Sequence, residues 1–169
     1  MRFHRRECII LITLLAYASG AVNAQSAGGA TLTIAGDLLK PLTLSIDDLA
    51  KLPRITLKAT DRDNKEHEYT GVAVTEVLKA AGVTLGSQLR GDALTRYVVM
   101  KAADNYQVVY ALPELDPEFT DDVVLLAITV DGKPLPKGEG PFRIVNPSDK
   151  KHARWIREIR NITIQNAKE

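Results

Sequence analysis

The chain has 169 residues, with 22 Lys plus Arg against 21 Asp plus Glu, a net charge of +1 and one cysteine. So even a balance excludes the broad basic field that bulk nucleic-acid or anionic-membrane attraction requires. The length suits one domain with a respectable core, and a lone cysteine excludes an internal disulfide framework.

Residues 1–6 carry Arg2, Arg5 and Arg6, residues 8–18 are almost wholly apolar, and small residues lead to Val22, Asn23 and Ala24. A basic start, a short apolar run and small residues two apart predict a secretory signal over residues 1–24, cut after Ala24. The apolar run is shorter than the ~20 residues that span a bilayer. The mature protein is therefore expected to be periplasmic or secreted, with no stable membrane anchor. Arg5-Arg6 leaves both the general and the twin-arginine export routes open. Cleavage removes Arg2, Arg5, Arg6 and Glu7, leaving about 145 residues with a net charge of about −1. Cys8 leaves with the leader, so the mature chain is expected to hold no thiolate ligand and no cysteine nucleophile.

Residues 25–30 are small and polar and predict a flexible lead-in. Residues 31–35 alternate as a strand that stops at Gly36-Asp37, and Leu42-Thr-Leu44 can pair as a second. Ser45 with Asp48 predicts a capped helix start, kept short by Pro53. Residues 55–60 and 66–70 predict two strands around a solvated polar turn at 61–65, with Gly71 ending the hairpin. Val74, Val77, Leu78 and Ala81 share one helical face, and Gly82 suits a left-handed stop.

A polar loop over 86–95 precedes strands at 97–100 and 107–110, joined by a turn at Asp104-Asn105. Residues 113–119 predict a short turn of helix. Residues 123–130 are unbroken apolar sequence, expected as a strand buried on both faces, and Asp131-Gly132 signals a hairpin. Residues 142–145 predict another strand, 153–158 a short helix, and 159–164 a last alternating strand. The whole reads as one α+β domain over 31–169, a mixed β-sheet with a few short helices.

Chemistry-bearing motifs are sparse. Asp61, Asp63, Glu66, His67 and Glu68 lack the ligand spacing and Gly of a calcium loop, and one imidazole falls short of a zinc set. No serine sits in a G-x-S-x-G elbow, and Gly138-Glu-Gly140 is followed by Pro141 rather than by a phosphate-binding helix start. No catalytic residue and no metal ligand is assigned. What remains is a basic segment: Arg143, Lys150, Lys151, His152, Arg154, Arg157 and Arg160 fall within eighteen positions, beside the only Trp, Trp155. Arg offers a planar fork matched to phosphate and Lys a point charge. In a helix over 153–158, Arg154 and Arg157 would share one side while Trp155 turned to the core. The same residues also suit a solvated face paired with acids such as Glu158.

Four stretches in order carry a family resemblance: 36–53 (GDLLKPLTLSIDDLAKLP), 69–82 (YTGVAVTEVLKAAG), 103–115 (ADNYQVVYALPEL) and 126–155 (LAITVDGKPLPKGEGPFRIVNPSDKKHARW). Together they resemble the molybdopterin-binding domain of sulfite oxidase-type enzymes, and the chain is similar to the short, exported, stand-alone members. The resemblance implies a mixed α+β fold, a cleft for the pterin and its phosphate, and a Cys sulfur completing the molybdenum coordination. That Cys lies on a strand shortly before the segment that begins at Tyr69, which counts back to 58–60 and most nearly to Ala59. A methyl group cannot replace the soft thiolate that molybdenum takes. The Gly- and Tyr-rich loop that follows the family's R-x-x-x-P pattern is shortened here to Ser148-Asp149, while Arg143, Pro147, Arg154 and Trp155 keep the pattern.

The resemblance weights the basic segment towards an anion pocket of Arg143, Lys150, Lys151, His152 and Arg154, residues expected to contact ligand rather than to hold the fold. Three functions stay open. One is a periplasmic binding module for a small anionic or pterin-type ligand without cysteine-ligated molybdenum. Another is a molybdopterin-dependent oxidoreductase with atypical coordination. The third is an interaction or sensor-partner module that docks a periplasmic protein.

Overall fold

The computed structural model describes residues 29–38 and 40–167. The expected leader, and all but the last two residues of the expected lead-in, lie outside the described residues. In chain order the elements are β1 (Thr31–Gly36), β2 (Leu42–Ser45), α1 (Ile46–Leu49), β3 (Arg54–Thr60), β4 (Glu66–Ala73) and α2 (Val74–Ala80). They continue with β5 (Arg96–Ala102), β6 (Gln107–Ala111), β7 (Leu125–Val130), β8 (Lys133–Pro134), β9 (Arg143–Val145) and β10 (Ile159–Asn166). Single 3-10 turns occupy Gly86–Gln88, Gly91–Thr95, Leu112–Leu115 and His152–Arg154. This is the α+β architecture of mixed sheets and short helices that the sequence pattern predicts.

Two five-stranded sheets form. The first runs β2-β1-β10-β5-β6, with β10 parallel to β1 and antiparallel to β5. The second runs β3-β4-β7-β8, and β9 also pairs with β7. The main core contains Leu32 and Ile34 of β1, Val98 and Met100 of β5, Leu126 and Ile128 of β7, Ile144 of β9 and Ile162 of β10. Val74, Val77 and Leu78 of α2 join it, which is the helical face read from their spacing.

β7 explains how a second buried layer arises. Its successive residues point to opposite faces, so Leu126 and Ile128 enter the main core while Leu125 and Ala127 enter a separate cluster with Ala59, Tyr69, Val145 and Trp155. Both faces of β7 are therefore dry, as its unbroken apolar run predicts. The second cluster lies on the outer face of the second sheet, and the candidate site is built around it.

Local signals are met as expected at several points. Ser45 Oγ accepts from the Asp48 amide at 3.1 Å and Asp48 returns a bond to the Ser45 amide, closing a capping box on α1. Asp131 and Gly132 both take positive φ, +49° and +73°, in the β7–β8 turn.

Two elements differ from expectation. β4 does not stop at Gly71 but continues to Ala73, because Gly71, Val72 and Ala73 go on pairing with Ala127, Leu126 and Leu125 of β7, which runs close against Gly71. A Cβ on Gly71 would lie 2.0 Å from the Leu126 carbonyl oxygen, which only glycine avoids. Residues 153–158 do not form a helix beyond the His152–Arg154 turn. Their backbone groups pair elsewhere: the Ile144 amide donates to Ile156 O at 2.9 Å and the Glu158 amide to Glu139 O at 3.0 Å. Glu158 takes φ +48° and ends any helical continuation. Trp155 and Ile156 consequently fall on opposite sides, one in each apolar cluster.

The Gly71 contact predicts that Gly71→Ala lowers stability by about 2–3 kcal/mol, since backbone must move to admit the methyl. Urea unfolding of the two proteins checks this, and an unchanged midpoint would refute it.

Candidate functional site

Arg143 opens the short strand β9, ahead of Ile144 and Val145, and is 1% exposed. Burying a guanidinium requires paired charge and hydrogen bonds, and the chain supplies both. Its Nη1 donates to Glu139 Oε2 at 2.6 Å and to the Tyr69 hydroxyl at 3.3 Å. Its Nη2 lies 2.7 Å from Asp61 Oδ2, an ion contact whose angle is not that of a hydrogen bond. The Tyr69 hydroxyl donates to the same Asp61 carboxylate at 2.6 Å. Above, the guanidinium carbon is 5.3 Å from the Tyr69 ring centre and 5.6 Å from that of Trp155, within cation–π range.

Asp61 was expected on a solvated turn. Instead it turns inward to Arg143, and only Asp63 and the rest of the tip face water. Burial by itself would raise the Asp61 carboxyl. The Tyr69 hydroxyl, the Arg62 amide and Arg143 outweigh that and hold it at about 2. Burial and the hydrogen bond to Asp61 push the Tyr69 phenol well above its ordinary range.

The other residues of the basic segment separate. Arg154 donates to Asp149 through Nε at 3.3 Å and to Glu114 through Nη1 at 3.0 Å, and its guanidinium covers the Tyr110 ring at 4.3 Å. Asp149, then Glu114, raise its already high pKa further. The His152 ring lies edge-on to Trp155 at 4.3 Å, with Nε2 2.9 Å from Thr60 O. Arg62 reaches back to donate to His152 O at 3.3 Å. Lys150 and Lys151 are exposed. The five predicted site residues thus share a segment but not a concavity: Arg143 is under the fold, Arg154 lines one cleft, and the two lysines face solvent. Holding the fold, rather than meeting ligand, is what the geometry gives Arg143.

A cleft of about 490 Å³ lies on this side. Its walls are Arg62, from the β3–β4 turn, and Asp104 and Tyr106, from the β5–β6 turn; its floor is Ala153, Trp155, Ile156, Arg157 and Glu158. Tyr106 is half-exposed and its hydroxyl donates to Ala153 O at 2.9 Å, fixing the turn against the floor. A neighbouring cleft of about 310 Å³ shares Arg62 and Arg157 with it and contains His67. Sequence reasoning passed over Arg62, Tyr106 and Arg157 as site residues because only the packing of two turns against the C-terminal segment brings them together. Arg154, with Tyr110, Glu114 and Phe119, faces a third cleft of about 320 Å³.

The chain belongs to the oxidoreductase molybdopterin binding domain family, whose model matches residues 19–169. Its structure is similar to the crystal structure of the sulfane dehydrogenase SoxCD from Paracoccus pantotrophus, with a TM-score of 0.63 and 20% identity over 83% of this chain. The match spans 39% of that chain, well under half its length. None of the curated proteins compared matches this one.

Molybdopterin is the cofactor this family implies, and the residues can be tested for it. Ala59, where the resemblance places the thiolate, is 5% exposed and packs with Tyr69 and Trp155 beneath the His152 contact. Among the described residues there is no Cys, and no group of three or more His, Cys, Asp or Glu is placed to hold a metal ion. Among the described residues, the position that the resemblance gives to the thiolate holds a methyl group, which does not ligate molybdenum.

Two outcomes follow. Arg143→Ala strands the part-buried Asp61 and Glu139 carboxylates and removes the packing under Trp155, so it is expected to cost about 3 kcal/mol. Arg154→Ala, at a half-exposed pair, is expected to cost no more than about 1 kcal/mol. Denaturant unfolding of both variants distinguishes them, and equal small losses would remove Arg143 from its structural role.

His67 gives the second. Its ring bonds Asp131 at 2.7 Å through Nδ1 and Asp63 at 3.1 Å through Nε2, and these two carboxylates raise its pKa. A group raised on folding stabilises fully below its unfolded value of about 6.5 and loses that contribution as pH climbs through the folded value. The unfolding midpoint is therefore expected to fall from pH 6 to pH 9 in the native chain, and to fall less in His67→Gln.

Proposed function

We propose that this chain is an exported, periplasmic or secreted domain that binds an anionic or pterin-type ligand without cysteine-ligated molybdenum. The observation that carries this reading is the buried methyl of Ala59 where the family resemblance calls for a sulfur donor. The basic, small-residue-tipped apolar stretch over residues 1–24 supports export. Family membership supports the pterin class, and the cleft of about 490 Å³ between the two turns, walled by Arg62, Arg157 and Tyr106, supports a planar anion as the occupant. Lys150, Lys151, His152 and Arg154 then serve as a positive surround on the same segment rather than as a closed pocket.

Elemental and small-molecule analysis of the full chain, expressed with its leader and purified from its native envelope, tests this. The expected result is molybdenum far below one per chain together with a released non-metal anion. Stoichiometric, redox-cycling molybdenum would overturn the reading in favour of an oxidoreductase with atypical coordination.

A further inference from the structure

The cleft of about 490 Å³ is lined by charges of both signs. Arg62 and Arg157 stand where it adjoins the neighbouring cleft, and both line the two. Asp104 and Glu158 stand at the β5–β6 turn, where the Ala103 amide donates to Glu158 O at 3.0 Å. Among the described residues, Arg62, Asp104 and Glu158 make no ion pair within 4.0 Å, and Arg157 reaches only Glu139, at 3.8 Å. Arg157 Nε is buried with no hydrogen-bond partner among the described residues. The Glu139 carboxylate cannot serve it fully, because its other oxygen is 2.6 Å from Arg143. Arg62 and Arg157, shared with the neighbouring cleft, Asp104 and Glu158 on the side of the Ala103–Glu158 backbone bond, and a half-exposed Tyr106 ring give the cleft a lining of both charges.

We infer that the cleft takes a dipolar ligand: an oxyanion between Arg62 and Arg157, and an amino or ring N–H group at Asp104 and Glu158. Arginine forks match the planar spread of phosphate or carboxylate oxygens, and carboxylates take N–H donors. The Tyr106 ring offers a flat ligand a stacking surface. This inference rests on the reading of the cleft as the ligand site, and adds which end of the ligand meets which residues. The ligand is bound by charge at both ends, so a plain anion uses half of the site.

Calorimetric titration of the full secreted chain with matched probes tests it: ethyl phosphate against 2-aminoethyl phosphate, and propionate against β-alanine. Each amino-bearing probe is expected to bind about tenfold tighter than its partner, the scale of one charged hydrogen bond at a partly solvated site. The pair with the larger advantage identifies the oxyanion. Arg62→Gln and Arg157→Gln are each expected to weaken both members of a pair. Asp104→Asn combined with Glu158→Gln is expected to abolish the amino advantage while leaving the plain anion bound as well or better. If Arg157→Gln lowers the unfolding midpoint, Arg62→Gln alone carries the test, since its side chain is exposed. Equal affinities within both pairs, or an advantage that survives the double carboxylate change, would overturn the inference. A native ligand that still co-purifies with an Arg62→Gln, Arg157→Gln chain sinks this inference and spares the proposed function. A native chain that carries no ligand and binds no probe sinks both.

Discussion

A single buried cation organises this side of the molecule. Arg143 sits on a three-residue strand with almost no access to water, and its charge cannot be left uncompensated there. Asp61 comes from the β3–β4 turn, Glu139 from the segment before β9, and Tyr69 from the middle of β4. Meeting the needs of one guanidinium therefore pins a hairpin tip, a loop and a strand together. Trp155 closes the arrangement from above, with its indole N–H on Asn146 O at 2.9 Å. In such an interior, loss of one partner leaves the others stranded, so the group behaves as a unit rather than as separable pairs.

The clefts are consequences of that knot. Because Asp61 is drawn inward, its neighbour Arg62 is held beside His152 and above the C-terminal segment. Because residues 155–158 are not helical and pair instead with β9 and the loop before it, Arg154 and Arg157 diverge into different concavities. A helix would have put them on one face. The family fold is thus present, while the place to which the resemblance assigns a sulfur donor is filled by a methyl packed with an indole. Among the described residues no helix is long and apolar enough to cross a membrane.

Much of the scaffold was legible beforehand, for local reasons. Alternation in β1 and β10, the unbroken apolar run of β7, the Ser45–Asp48 box, the apolar face of α2 and the Asp131-Gly132 turn each depend on residues within a few positions of one another. The site was legible only in part. Arg143 in an apolar run announces that acids must come to it, but nothing near it in sequence says that one is Asp61, eighty-two positions earlier. Gly71 looked like a stop signal, and proved to be a crossing point, because the strand that crowds it lies more than fifty residues on.

Composition and periodicity were enough to determine an α+β domain, and four ordered motifs to point to its family. These are properties of short windows or of simple presence, which folding does not alter. Which charges meet, which are buried and which face an open cleft was decided by tertiary structure alone. A charge's environment is set by whatever packs against it, and here those neighbours arrive from turns and strands far apart in the chain.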